Sequence, residues 1–199
     1  MNFLAHLFLS YPNPEEMTGN FMGDFVKGRN YLNYPMEIRN GILIHRAIDH
    51  YTDQHGEAKK LITALRPIYK RYAGVVSDIV FDHILARDFN NWSELGLNNF
   101  SEYTYNILSD NRDVLPERVS FILDRIRESR RLQMYASLDG IRNSLDIMSN
   151  RTSLPDHTDE LIRFIRENDT FITETFNAFF PELKRWVEIK RKELDGKDS

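Results

Sequence analysis

Imidazole and carboxylate side chains interrupt three otherwise apolar stretches of the sequence. They are His6 within residues 3–9, His45 and Asp49 within residues 42–49, and Asp82 and His83 within residues 78–85. Helices that are apolar on nearly all sides become buried, and an unpaired carboxylate there would cost several kcal/mol. Such side chains therefore need partners, and a metal ion is a partner that several of them can share.

The spacing of these residues places some of them on a common helix face. His45 and Asp49 are four residues apart, and Asp53 extends the same row by one turn. Asp24 is a further polar residue in apolar surroundings. Each feature also has a structural interpretation, with His6 as a hydrogen-bonded core residue and His45 with Asp49 as an intrahelical ion pair. One shared site would account for all of them together.

The types of ligand favour metal-assisted hydrolysis. The sequence contains no cysteine, which excludes iron–sulfur clusters, Cys-ligated zinc and thiol nucleophiles. Imidazole and carboxylate ligands suit Mn, Fe, Zn or Mg, with coordination positions left for water and phosphate. The sequence has no phosphate-binding loop of the NTPase type, no dinucleotide-binding glycine pattern and no serine-hydrolase elbow. Direct attack by water is therefore favoured over a covalent nucleophile.

A basic run covers residues 125–131. It contains Arg125, Arg127, Arg130 and Arg131. Such a run is usually the solvated face of a helix, and the alternative is a docking surface for an acidic protein, with Lys27 as a further contributor. The formal net charge of −4 does not favour nucleic acid, so we expect no nucleic-acid partner.

Helical periodicity runs through the whole chain. Apolar residues recur at spacings of three and four, whereas alternation with a period of two is nearly absent. A chain of 199 residues suits one domain with one core. We therefore predict an all-α, single-domain bundle of about eight or nine helices over residues 1–194, followed by a polar tail at residues 195–199.

Proline and glycine residues predict several helix boundaries. The second helix, which begins at Pro14, is expected to end near Gly28. Pro67 is expected to break or kink a helix. A long helix is predicted at residues 155–180, and Pro181 is expected to begin a separate last helix.

The first ten residues form an apolar run that lacks the features of a secretory signal. They carry no positively charged start and no small-residue cleavage site. No stretch of the sequence approaches the ~18 apolar residues that a bilayer crossing requires. We therefore expect a cytoplasmic protein with no membrane partner.

Four groups of residues together resemble the bacterial acyl carrier protein phosphodiesterases. They are residues 1–7, Gly19-Asn20 with Asp24 to Gly28, His45 to Asp49 with Thr52-Asp53, and the pair Asp82-His83. The spacing agrees over roughly the first half of the chain, and the rest agrees in length and helical character. The combination is specific, although none of its parts would be so alone.

This resemblance implies an HD-like bundle, related to the HD-type metal phosphohydrolases. Members need a divalent metal, typically manganese, and hydrolyse holo-acyl carrier protein to the apo form and 4′-phosphopantetheine. By position, the resemblance implies a metal site formed from Asp24, His45, Asp49 and Asp82, followed by His6 and His83. Among these we predict His6, Asp24, His45 and Asp82 as metal ligands and Asp49 and His83 as catalytic residues. Arg46 is predicted as a further catalytic residue, because it or Lys27 could clamp the phosphate. In the wider HD pattern a histidine precedes the aspartate of the adjacent pair, whereas here Asp82 precedes His83.

Two other functions are also compatible with the sequence. The first is an HD-type nucleotide or small-molecule phosphohydrolase, whose pocket would be closed around a base. The second is a non-enzymatic helical interaction module, in which the buried acids and histidines only pair with each other. An acidic acyl carrier protein would instead require a basic rim around the site. The sequence does not indicate an oligomeric state.

Overall fold

The computed structural model describes residues 1–150 and 152–196, and it confirms the all-α class for that part of the chain. The α-helices are α1 (Phe3–Ser10), α2 (Pro14–Phe21), α3 (Met36–Gln54), α4 (Gly56–Tyr69), α5 (Ala73–Arg87), α6 (Leu97–Asp110), α7 (Glu117–Glu128), α8 (Arg131–Met134), α9 (Leu138–Ser149), α10 (Thr158–Glu167) and α11 (Asp169–Asp195). These eleven helices of the described chain exceed the eight or nine predicted. The four-residue α8 and the separation of α10 from α11 were not expected.

Helix α5 lies in the core and supports its neighbours. Nearly all of residues 76–86 are buried, as expected for a helix that is apolar on most sides. Helix α11 packs against it through Phe176 and Phe179, whose ring centroids lie 5.7 and 5.3 Å from that of Phe81. This packing gives α5 a fixed position from which it can hold α1.

The amino end of α1 is held by Asp82 on α5. The carboxylate of Asp82 accepts hydrogen bonds from the backbone N–H groups of Asn2, Leu4 and Ala5, at 3.3, 2.8 and 3.3 Å. N–H groups at the start of a helix have no partner within it, and they carry the positive end of the helix dipole. This cap fixes the position of α1, and with it the position of His6.

Helices α2 and α3 approach so closely that their backbones are in contact. A β-carbon at Gly19 would lie 2.0 Å from the carbonyl oxygen of Ile38, and one at Gly41 would lie 2.2 Å from that of Glu16. Any larger residue at either position would push the helices apart. The contact brings the buried part of α2 beside the middle of α3, where the candidate site lies.

The second helix ends earlier than predicted. Helix α2 stops at Phe21 instead of near Gly28, and a 3₁₀ turn at Gly23–Phe25 follows. A β-carbon at Gly23 would lie 2.3 Å from Cγ of His45, so the backbone of the turn lies directly against the imidazole. The sequence pattern contains no signal for this long-range contact, which accounts for the difference.

Two prolines lie inside helices that were predicted to break or end at them. Helix α4 continues through Pro67 for two further residues, and α11 continues through Pro181. A proline removes one backbone N–H from the helix ladder. Thr63 and Asn177, which lie four residues before Pro67 and Pro181, are both exposed, so each lost hydrogen bond belongs to the solvent side of its helix. The break falls instead at Asn168, between α10 and α11.

Helix α11 runs to Asp195 and so includes the first residue of the predicted polar tail. Residues 197–199 of that tail lie outside the described residues. Within the described chain, no helix combines the length and the apolar character that a membrane crossing requires.

Candidate metal centre

His6, His45 and Asp49 meet between α1 and α3. Nε2 of His6 lies 3.1 Å from one carboxylate oxygen of Asp49, and Nε2 of His45 lies 3.2 Å from the other. The two imidazole rings stack with their centroids 4.2 Å apart. Each residue offers one ligand atom, and these atoms all lie within 4.8 Å of one another, so the three residues could hold a metal ion.

Asp24 adds a fourth side chain to this cluster from the 3₁₀ turn after α2. One of its carboxylate oxygens lies 3.5 Å from Nε2 of His45. The side chain of Asp24 is 66% exposed, whereas both histidine side chains are buried. The neighbouring imidazole of His45 lowers the pKa of Asp24, which is therefore ionised at neutral pH. Asp24 gives the cluster a carboxylate on its solvent side.

The two histidines titrate in opposite directions. Burial lowers the pKa of His6 to about 4, and the nearby charge of His45 acts in the same direction. Burial also opposes the charge on His45, but the carboxylates of Asp24 and Asp49 outweigh it and raise the pKa to about 9. Asp49 is partly exposed; its partial burial opposes the charge, yet the two histidines hold its pKa well below the usual range. The carboxylates therefore favour positive charge on His45, whereas burial disfavours it on His6.

The Nε2 atoms of both rings are placed as ligands to a cation would be. Nε2 of His6 lies 3.1 Å from the carbonyl oxygen of Met1 as well as 3.1 Å from Asp49, so it faces two acceptors. Nε2 of His45 is buried and has no partner of acceptable hydrogen-bond geometry among the described residues, although two carboxylates lie within ion-pair distance. A divalent cation would satisfy both nitrogens and the carboxylates, so the donor set fits a metal.

The cluster borders a cleft with a volume of about 1040 Å³. Helix α3 contributes the carboxylates of Asp49 and Asp53 to its lining, and the 3₁₀ turn contributes that of Asp24. Helix α7 contributes apolar side chains, among them Phe121, together with Arg125. The cleft therefore combines the carboxylates of the cluster with apolar and basic groups from α7.

Asp82 and His83 do not lie in this cluster. Asp82 is 0% exposed, and its carboxylate caps α1. Nδ1 of His83 lies 2.7 Å from the carbonyl oxygen of Tyr135, which holds the ring against the segment between α8 and α9. Each of these buried polar groups needs a partner, and the sequence pattern is the same whether that partner is a metal ion or a backbone group.

Arg46, which was predicted to have a catalytic role, contacts the loop after the 3₁₀ turn. Nη2 of Arg46 donates a hydrogen bond to the carbonyl oxygen of Val26 at 2.6 Å, and the guanidinium lies 5.2 Å from the ring centroid of Tyr31. Lys27 follows in the same loop and is exposed. Arg46 therefore holds the loop that carries Lys27 and that directly follows the turn of Asp24.

The four predicted docking arginines lie in different environments. Arg125 and Arg131 line the cleft. Arg127 instead donates hydrogen bonds at 2.9 Å to Ser109 and at 3.1 Å to Asn106, both on α6. Arg130 is exposed in the turn between α7 and α8, where its φ of 49° makes it a left-handed residue. The structure therefore associates two of the four with the cleft.

Two further groups beside the cluster had no functional prediction. Oδ1 of Asn20 lies 2.8 Å from Nδ1 of His6 and 3.1 Å from Nδ1 of His45. The amino group of Met1 is buried and lies 3.0 Å from a carboxylate oxygen of Asp78. An amide among apolar residues at the end of α2 was a signal for Asn20, but its two partners lie 14 and 25 residues away along the chain.

Known proteins resemble this chain over almost its whole length. A family model described as acyl carrier protein phosphodiesterase matches residues 1–183. The chain is 31% identical over 192 residues to the acyl carrier protein phosphodiesterase of Klebsiella pneumoniae (strain 342), covering 96% of this chain and 100% of that protein. It is 30% identical over 195 residues to the protein of the same name from Enterobacter sp. (strain 638), covering 98% and 100%. No solved structure matches the chain. The chain belongs to the acyl carrier protein phosphodiesterase family.

Proposed function

We propose that this protein hydrolyses holo-acyl carrier protein to apo-acyl carrier protein and 4′-phosphopantetheine. The observation that carries the proposal is the carboxylate–imidazole cluster of His6, His45, Asp49 and Asp24 on the wall of a large cleft. Membership of the family selects the substrate among phosphodiesters. A cleft suits this substrate, because a long, narrow arm has to carry the phosphodiester into the site.

Manganese is the metal that we propose for this cluster. His6, His45 and Asp49 would hold it, and Asp24 would stand on the side that faces the cleft. Imidazole and carboxylate ligands without sulfur suit manganese. When bound, the cation would supply positive charge against the phosphodiester oxygens and make water a stronger acid.

The reaction requires one proton acceptor and one proton donor. A water oxygen bonds to phosphorus, the bond between phosphorus and the serine oxygen breaks, and the serine oxygen gains a proton. Asp24 is suited to accept the proton from water, because it is exposed to the cleft and ionised at neutral pH. Asp49 contacts both histidines and holds their orientation, while solvent in the cleft can protonate the serine oxygen.

Helix α7 supplies the groups that would receive the arm and the carrier protein. The ring of Phe121 is 54% exposed, and the guanidinium of Arg125 lies 5.2 Å from its centroid. Arg131 adds a second positive charge to the same cleft. Apolar surface would pack against the pantetheine arm, and the arginines would attract the acidic carrier protein.

Incubation of the purified protein with Mn²⁺ and holo-acyl carrier protein tests this function by intact mass. We expect the carrier to lose the mass of 4′-phosphopantetheine, and chelation to stop the loss until Mn²⁺ is restored. A loaded metal site without release would reject the proposal in favour of a nucleotide or small-molecule phosphohydrolase. A protein that binds no divalent cation would instead be an interaction module.

Hydrolysis in ¹⁸O-labelled water tests the point of bond cleavage. Attack on phosphorus places the label on the phosphate of the released 4′-phosphopantetheine and leaves the serine oxygen unlabelled. Label in the serine hydroxyl would show cleavage between carbon and oxygen, which the proposed reaction forbids.

A further inference from the structure

A single amide oxygen lies within hydrogen-bonding distance of both histidines of the candidate metal centre. Asn20 on α2 is 0% exposed. Its Oδ1 lies 2.8 Å from Nδ1 of His6 on α1 and 3.1 Å from Nδ1 of His45 on α3. A carbonyl oxygen has two lone pairs, so it can accept a hydrogen bond from each ring at once.

The orientation of this amide follows from its other contacts. Nδ2 of Asn20 donates hydrogen bonds to the carbonyl oxygen of His6 at 2.9 Å and to Oγ of Ser10 at 2.7 Å. A flipped amide would place Oδ1 against the carbonyl oxygen of His6, and two buried acceptors would then face each other. Oδ1 therefore faces the two rings, where it can accept a hydrogen bond from an Nδ1–H group of each.

We propose that Asn20 is a positioning residue that selects the Nδ1–H tautomer of both His6 and His45. With Nδ1 protonated, each neutral ring presents the lone pair of Nε2, and both Nε2 atoms point toward Asp49. Partners of this kind fix the ring and the tautomer of metal-binding histidines. One side chain performs this role for two ligands here, because both Nδ1 atoms converge on it.

The inference rests on the proposed metal role of the cluster, but its test does not involve the carrier protein. Long-range ¹H–¹⁵N correlation spectra of the Zn²⁺-loaded protein report, for each ring, which nitrogen binds the metal and which carries the proton. We expect ligation through Nε2 and a proton on Nδ1 for both His6 and His45. Ligation through Nδ1 of either ring in the Zn²⁺-loaded wild type would overturn the inference without any variant.

Three variants separate the tautomer effect from packing. Asn20→Leu keeps a similar volume but removes the acceptor, whereas Asn20→Asp keeps an acceptor oxygen for the rings. Ser10→Ala is the matched control, because it removes a contact of Nδ2 and touches neither ring. We expect Asn20→Leu to raise the Kd for Zn²⁺ by about 100-fold, Asn20→Asp to recover part of that loss, and Ser10→Ala to change it only a few-fold.

The affinities are compared with the thermal stability of each variant. Unchanged Zn²⁺ affinity and unchanged tautomers in Asn20→Leu would overturn the inference. Losses of affinity that follow the losses of stability across all three variants would also overturn it, since they would show a packing role. Should Asn20→Leu not fold, the tautomer of His6 in the wild type and in Asn20→Asp decides the matter. If the wild type shows the expected tautomers and Zn²⁺ affinity but does not hydrolyse the carrier protein, the proposed function is rejected and the role of Asn20 stands.

Discussion

Asp49 couples the two histidines of the candidate metal centre. Its two carboxylate oxygens contact different rings, at 3.1 Å for His6 and 3.2 Å for His45. Because Asp49 stays ionised far below neutral pH, it is available as a ligand under all ordinary conditions. Without this carboxylate, the two stacked rings would lose the negative charge that they share.

Replacing Asp49 with asparagine should abolish high-affinity metal binding. The amide keeps the size of the side chain but removes the charge, so we expect the bound Mn²⁺ measured by elemental analysis to fall below stoichiometry. The kcat/KM for holo-acyl carrier protein should fall at least about 100-fold. Asp113→Asn, at an exposed aspartate outside the cleft lining, is the control and should bind metal normally. A full metal content in Asp49→Asn would show that the carboxylate of Asp49 is not needed to bind the metal.

The position of helix α1 depends on a cap from another helix. Asp82 is buried between α5 and α1, and burial raises its pKa to about 7, although the amino group of Met1 and the N–H groups of α1 act in the opposite direction. The native state therefore binds more protons than the unfolded state between the ordinary pKa of 3.8 and about 7. The contribution of Asp82 to stability is accordingly larger at low pH and decreases as the pH rises through this window.

Asp82→Asn should reveal this pH dependence, because asparagine does not titrate. We expect the free energy of unfolding of the wild type, relative to the variant, to fall by on the order of 1–3 kcal/mol between about pH 5 and about pH 8. Urea denaturation at the two pH values measures the difference. A constant or rising difference would contradict the raised pKa. The variant should lose activity only as far as α1 is displaced.

The 3₁₀ turn after α2 places a glycine against the imidazole of His45. Gly23→Ala would put a methyl group 2.3 Å from Cγ of His45, and the ring would have to move. We expect a folded protein, destabilised by about 1–3 kcal/mol, whose metal affinity falls at least about 10-fold. Urea denaturation and metal titration measure the two effects.

Gly74→Ala, at the start of α5, is the matched control for this substitution. A β-carbon there meets no atom within 4 Å, so alanine should leave metal binding unchanged. It should also stabilise the helix by up to about 1 kcal/mol. Equal metal affinities in the two variants would show that the contact between Gly23 and the ring is not needed.

At the scale of the whole molecule, the arginines of the basic run differ in their position relative to the cleft. The net charge of −4 would repel an acidic partner, so association has to use a local surface. Arg125 and Arg131 lie in the cleft lining, whereas Arg127 is bound to side chains of α6. These placements assign unequal roles to the arginines of the basic run.

Reversing the charge of Arg125 and Arg131 together should raise the KM for holo-acyl carrier protein about 10-fold at low salt, with a smaller change in kcat. The effect should shrink as salt is added, because charges on the surface are screened within ~8–10 Å at physiological ionic strength. Steady-state kinetics at several salt concentrations measure this. Arg163→Glu, on α10 and outside the cleft lining, is the control. Equal KM values for the double variant and Arg163→Glu at low salt would identify the basic run as a solvated helix face.

The sequence by itself determined the helical class and the chemical type of the site. Periodicity is a local property, and so is the pairing of His45 with Asp49, because residues four apart in a helix lie on one face. The exclusion of sulfur ligands also needed only the composition. Pattern alone could therefore indicate that imidazole and carboxylate groups were available for a metal.

Only the tertiary structure decided which of these groups meet. His6 lies 43 residues from Asp49, and their contact depends on the cap that holds α1. Asp82 had the same sequence signature as the residues of the cluster, yet it satisfies its charge with backbone N–H groups. A buried carboxylate can be stabilised by a metal, a histidine or a helix start, and the packing of the helices decides which of these partners lies within reach.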